Sequence, residues 1–263
     1  MKRTIINIVK IGTNLLTTHE GNLDLNNLRS LVEQIAREAK NTKQKFIIVT
    51  SGAITCGSTK MKIKPKNIQE KQAAAAIGQS LLMQEYSRFF SQYEQITGQI
   101  LLTKDCIDNK IQNKNAKNTI CELLKLNIIP IINENDSVAT EEIDSRFRDN
   151  DALSSYVAKI IKADKLILLT NADGVFTANP EKNKTAKLIK SISKITDELI
   201  NSSEESQSSR SKGGMKSKLA AAKEAAASGT EVIIANGRSP NIIHSILKND
   251  YIGTLIPANK KGV

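Results

Sequence analysis

The stretch Ile128-Ile129-Pro130-Ile131-Ile132, followed at once by Asn133-Glu134-Asn135-Asp136, decides the reading of this sequence. An uninterrupted apolar run of strand length predicts a strand buried on both faces, and the polar cluster after it predicts a loop at the strand's carboxyl end. Leu166-Ile167-Leu168-Leu169 repeats the pattern further on. Around these two, short β-branched runs predict strands at Thr4–Lys10, Lys45–Thr50, Ile96–Leu102, Lys165–Thr170 and Glu231–Ala235. Between them lie segments with 3.6-residue apolar periodicity, predicting helices at Asn26–Lys40, Asn67–Phe90, Lys114–Leu126, Asn150–Ile161, Met215–Ser228 and Pro240–Lys248. Strands alternating with helices give a mainly parallel sheet, and strands apolar on both faces need helices on both sides. The expected fold class is therefore α/β, a three-layer α/β/α sandwich.

Composition agrees. The 263 residues are 40% hydrophobic and 25% charged, which is ordinary for a globular domain and excludes fibrous or disordered classes. Aromatic residues make up only 3%, with no Trp, so Ile, Leu, Val and Ala must fill the core. The 38 basic and 27 acidic residues give a net charge of +11. A nucleic-acid-binding module is one reading of that charge, but no stacking aromatics interleave with the basic runs, and a solvated lysine-rich surface is preferred. Cys56, Cys106 and Cys121 are odd in number and form no C-x-x-C pair, so neither a disulfide framework nor a zinc site is expected. No apolar run reaches the roughly 18 residues of a membrane span, and a cytoplasmic protein is expected.

In an open parallel sheet, ligands collect at the carboxyl ends of the strands. Polar or glycine clusters follow the predicted strands at Lys10-Ile11-Gly12-Thr13, Thr50-Ser51-Gly52-Ala53, Asn133-Glu134-Asn135-Asp136 and Thr170-Asn171-Ala172-Asp173-Gly174. Asp149-Asn150-Asp151 opens one helix, and Lys212-Gly213-Gly214-Met215-Lys216-Ser217-Lys218 leads into another. Gly12 and the Gly213-Gly214 pair would let backbone N–H groups face an anion, with lysines adding charge. The two Asn/Asp clusters could bind an amino group or a phosphate-bound Mg²⁺. The Ser-rich stretch Asn201–Lys212 reads as a flexible loop serving that site. G-x-x-x-x-G-K-[ST], G-x-G-x-x-G and G-x-S-x-G are all absent, which excludes P-loop, Rossmann dinucleotide and serine-hydrolase readings.

Taken in order, these clusters resemble the amino acid kinase family, and within it the members that phosphorylate glutamate on its side-chain carboxylate. The resemblance covers nearly the whole chain and implies ATP and Mg²⁺ as cofactors and L-glutamate as acceptor, at the first step of proline biosynthesis. Carried over by position, it implies that Lys10 and Lys218 contact the transferring phosphoryl group while Asp151 organises both. Ser51, Gly52, Ala53, Asp136 and Asn150 would hold glutamate; Lys10, Gly12, Thr13, Thr170, Asn171 and Lys212 through Lys218 would hold ATP. No residue is assigned as a metal ligand. Where many members carry Thr-Asp this chain has Thr170-Asn171, and many continue into a C-terminal PUA domain beyond the point where this sequence stops, at Val263.

A single kinase domain over 1–263 is expected, glutamate-binding up to about residue 160 and ATP-binding after it. A homo-oligomer with feedback by proline is a further expectation, and neither membrane nor nucleic acid is expected as a partner. The rival readings are another member of the family (acetylglutamate, aspartate, carbamate or UMP kinase) or the basic nucleic-acid-binding module.

Overall fold

A computed structural model of the chain describes residues 3–41, 43–138, 150–180, 182–203 and 214–259. All six predicted strands form: β1 (Ile5–Ile11), β2 (Gln44–Val49), β3 (Thr97–Leu102), β4 (Ile129–Glu134), β5 (Lys165–Thr170) and β6 (Glu231–Asn236). A seventh, β7 (Gly253–Ile256), was not read from the sequence. The sheet order is β3-β4-β2-β1-β5-β6-β7, parallel throughout except for the antiparallel β6–β7 pair. The β2–β4 ladder is short and starts at Ile48–Ile131, past Pro130, whose missing N–H cannot join it.

The helices are α1 (Thr13–Leu16), α2 (Leu25–Asn41), α3 (Ala53–Met61), α4 (Ile68–Ser91), α5 (Lys104–Asp108), α6 (Lys110–Lys125), α7 (Asn150–Ile161), α8 (Asp197–Ser202), α9 (Met215–Ala227) and α10 (Ile242–Leu247). Strand residues alternate between two cores. Val9, Ile48, Ile131 and Ile167 pack with α2, α3, α4 and α10, whereas Ile8, Ile47, Ile132, Leu166 and Leu168 pack with α6, α7 and α9. Period-two alternation over fully apolar strands thus yields the three layers.

Three expectations shift locally. Helix α6 starts four residues early because the Asn109 side chain accepts from the N–H groups of Ile111 and Gln112. Helix α10 starts two residues late, after Asn241 takes a left-handed conformation at φ 52°. Within the Ser-rich stretch, Asn201 and Ser202 finish α8, capped by the Thr196 hydroxyl, and residues 204–212 lie outside the described ones. Among the described residues no helix is long and apolar enough to cross a membrane.

Helix α3 was also unread, and it sits unusually close to α4. A Cβ at Gly57 would fall 1.7 Å from the Ala74 carbonyl oxygen, and one at Gly78 would fall 1.8 Å from the Ala53 carbonyl oxygen. Only glycine lets the two backbones touch there, and this contact fixes the start of α3 against the middle of α4.

Candidate active site

The chain leaves β1 toward β2 on one side and leaves β5 toward β6 on the other, so the carboxyl ends of β1 and β5 border a crevice at a topological switch point. Lys10 is the second-last residue of β1, paired in register with Val49 of β2 and Leu168 of β5. It lies two residues beyond Ile8 and therefore on the same face, the one covered by α7 and α9.

That face presents Asp151 and Lys218. Lys10 Nζ lies 2.6 Å from Asp151 Oδ1, and Lys218 Nζ lies 3.0 Å from Asp151 Oδ2. The Ser217 hydroxyl also donates to Oδ2, at 2.8 Å. Asp151 is 0% exposed, Lys10 4% and Lys218 6%. Burial pushes the Asp151 carboxyl up, but the Lys10 and Lys218 charges, with hydrogen bonds from Lys10 and Ser217, outweigh it and hold the group well below the usual carboxylate range. The cluster has two ammonium groups to one carboxylate, an excess positive charge away from bulk water, and such a charge favours an anion.

Local sequence explains the placement. Asp151 is the second residue of α7, and Ala221, Ala222, Ala225 and Ala226 on α9 are buried, which lets α9 pack closely on α7. The Ser155 hydroxyl donates to Glu224 across that contact, at 3.2 Å. Gly214 caps the start of α9, so the helix's first N–H groups open beside Ser217 and Lys218. At the end of β1, a Cβ on Gly12 would lie 3.5 Å from Lys10 Nζ; glycine leaves that approach to the ammonium clear. Thr13 opens α1 beside it.

A second polar group lies at the ends of β2 and β4. The Asn150 side-chain amide donates to Ser51 Oγ and to Asn133 Oδ1, both at 3.0 Å. Gly52 takes φ 94° at the start of α3, a conformation that favours glycine, and delivers Ala53 to the helix's first turn. Ala53 and Asp136, the latter on a 3₁₀ turn (Asp136–Val138), line one cavity of about 330 Å³. Asn150 and Asp151 are adjacent, so α7 joins this group to the lysine cluster. Thr170 and Asn171 stand at the end of β5, where Thr170 O accepts from the Gly237 N–H at 2.9 Å and Asn171 is exposed. Met215 and Lys216 occupy the first turn of α9.

Asp149, Lys212 and Gly213 lie outside the described residues. One residue of the polar group was not read as functional: Gln79 of α4, 8% exposed, which accepts a 2.8 Å hydrogen bond from Asn133, 1% exposed. Gln79 lies within a long helix, where a polar residue reads as surface.

With this geometry in view, the match of residues 6–236 to the model of the amino acid kinase family is decisive. The chain belongs to the amino acid kinase family. Within that family, the glutamate 5-kinase of Clostridium acetobutylicum is 44% identical over 256 residues, 96% of this chain and 95% of that protein. The glutamate 5-kinase of Caldanaerobacter subterraneus is 43% identical over 249 residues, and there the match spans 94% of this chain but 66% of the longer relative. Among solved structures, a UMP kinase from Ureaplasma parvum superposes with a TM-score of 0.66 at 15% identity, over 97% of this chain and 99% of that one. An isopentenyl phosphate kinase gives 0.65 at 17% identity, over 95% and 99%. These two share the amino acid kinase fold with the present chain.

Proposed function

We infer that this chain transfers the γ-phosphoryl group of ATP to the side-chain carboxylate of L-glutamate, giving γ-glutamyl phosphate and ADP, the reaction that opens proline biosynthesis. The buried Lys10–Asp151–Lys218 cluster, set one residue from the Asn150 group, carries this reading: it puts excess positive charge beside a polar site that suits an amino acid.

The acceptor needs no general base, because a glutamate carboxylate has a pKa near 4.3 and is ionised at neutral pH. One of its oxygens forms a bond to the γ-phosphorus while the bond from that phosphorus to the bridging oxygen breaks, and the leaving electron pair stays on ADP. What the protein must supply is in-line positioning and positive charge around the transferring group. In this reading Lys10 and Lys218 supply the charge and Asp151 fixes where their ammonium groups stand. Ser51, Gly52, Ala53, Asp136 and Asn150 hold the amino acid. Gly12, Thr13, Thr170, Asn171 and residues 212–218 hold the nucleotide, which divides the domain near residue 160 into an acceptor side and an ATP side. Asp151 does not suit a cation, since both its oxygens face ammonium groups. Mg²⁺ would sit on phosphate oxygens and water, neutralising charge there.

The test is ATP turnover across glutamate, N-acetylglutamate, aspartate and UMP with hydroxylamine present. Glutamate should stimulate turnover and yield a hydroxamate from the trapped acyl phosphate, and EDTA should stop it. Turnover that prefers another acceptor, or that leaves no hydroxamate, overturns the reading. Asp136→Ala should raise the KM for glutamate and leave that for ATP in place, because it removes a group that pairs with the substrate ammonium in ground and transition states alike.

A further inference from the structure

The hydrogen-bond chain through Asn133 runs in one sense only, and a backbone group sets that sense. The Glu134 N–H, which can only donate, lies 2.9 Å from Asn133 Oδ1. Oδ1 is therefore the acceptor end of Asn133, and its Nδ2 must donate, as it does to Gln79 Oε1 at 2.8 Å. The Gln79 amide is thereby oriented with Nε2 as the remaining group, and Asn150, donating to the same Asn133 Oδ1, is left with its own Oδ1. Both leftover atoms, Gln79 Nε2 and Asn150 Oδ1, are buried and have no hydrogen-bond partner among the described residues. One end of the relay is a donor awaiting an acceptor; the other is an acceptor awaiting a donor.

Gln79 also lines the cavity of about 330 Å³ shared with Ala53, Ala75, Glu134 and Asp136, room for roughly ten water molecules. Buried amide groups are rarely left unpaired, and the Gln79 donor, on a residue that lines a polar cavity, points to a ligand that completes it. An amino acid carries a carboxylate that can accept from that donor, and Asp136 on the same cavity offers a partner for its ammonium. Resting on the glutamate reading above, we propose that Gln79 recognises the α-carboxylate of the acceptor amino acid by donating its Nε2–H to it, while Asn133 fixes the amide that does so. The tight α3–α4 contact at Gly57 and Gly78 holds Gln79, the next residue along α4, at the required depth.

Gln79→Glu separates recognition from architecture. It keeps the shape and an oxygen to accept from Asn133 Nδ2, and replaces the donor by a charged acceptor that repels a carboxylate. The glutamate KM should rise at least about tenfold with the ATP KM and the melting temperature unchanged. A role confined to supporting Asn133 requires the opposite, a glutamate KM within twofold of the parent enzyme, and that result overturns the proposal. If Gln79→Glu does not fold, Gln79→Met takes its place: a raised glutamate KM beside an unmoved ATP KM is expected, and an unmoved glutamate KM overturns the proposal. The parent enzyme is run in parallel. If it makes no hydroxamate from glutamate, the reaction assignment fails and takes this inference with it; if it does, an unmoved KM in the variant fails the inference alone.

Discussion

Lys10 Nζ stands 2.6 Å from Asp151 Oδ1, so a buried carboxylate faces a cation in a place where an anionic substrate is expected to bind. A negative charge there opposes phosphate binding, and in the proposed reaction its benefit would lie in orientation: one shared acceptor fixes the positions of two ammonium groups. Asp151→Asn keeps the shape and loses the charge. It should lower kcat at least about tenfold while the ATP KM changes little. Steady-state kinetics with a parallel melting curve decides it, since a residue that only caps α7 would leave kcat normal, Asn capping as well as Asp.

Lys10→Ala and Lys218→Ala should each cut kcat by roughly 10²–10³, the size associated with losing one preorganised charge that faces developing negative charge. Both proteins should still bind glutamate. A near-normal kcat in either variant returns that lysine to a structural role.

Acid should weaken the fold through the same cluster. Asp151 is held below its ordinary 3.8, so the unfolded chain takes up its proton before the folded one does. The stabilisation is therefore fully present above about pH 4 and is lost as the pH falls through the folded-state value. Chemical unfolding of the parent and of Asp151→Asn should differ by a constant amount from pH 5 to 8, and the two should converge below pH 4. A gap that persists unchanged to pH 2 would show that the carboxylate is not the group responsible.

At Gly78, a methyl group would meet the Ala53 carbonyl oxygen at 1.8 Å, closer than any packing adjustment of side chains can relieve. Gly78→Ala should cost about 1–3 kcal/mol of stability as the helices part. Because Ala53 and Gln79 line one cavity, the glutamate KM should rise with it. An unchanged melting temperature would mean that α3 moves away freely.

Cys56 should resist thiol reagents in the native protein. Burial pushes its thiol up to about 12, so almost none is thiolate at pH 8. Ellman titration should register it only after denaturant is added, whereas rapid native-state labelling at Cys56 would show that α3 opens.

Most of the sheet could be read from the sequence because its strands are apolar on both faces, and Ile128–Ile132 and Leu166–Leu169 admit few other readings. The loops at the strand ends stood out for the converse reason, polar residues abutting runs with none. Helix α3 escaped notice because Ala53–Met61 lacks a clear apolar stripe and carries Gly57 in its middle; its stability comes from a backbone contact with α4 that no local pattern announces. Strand β7 is four residues long and is defined by its antiparallel pairing with β6. Gln79 was illegible for a related reason. Its hydrogen-bond partner is Asn133, 54 residues further along the chain, and only the assembled fold brings the two together.

The three groups at the heart of the Lys10–Asp151–Lys218 cluster come from the opening strand, the middle of the chain and a helix near its end. During synthesis Lys10 emerges long before the helix that bears Lys218, and no half of the polypeptide contains the set. If the cluster carries the proposed phosphoryl transfer, a nascent or proteolytically clipped chain can hold much of the sheet and still be chemically silent. Catalytic onset should coincide with the docking of α9 on α7, so phosphoryl transfer would report, in a single assay, that the last large helix has reached its place.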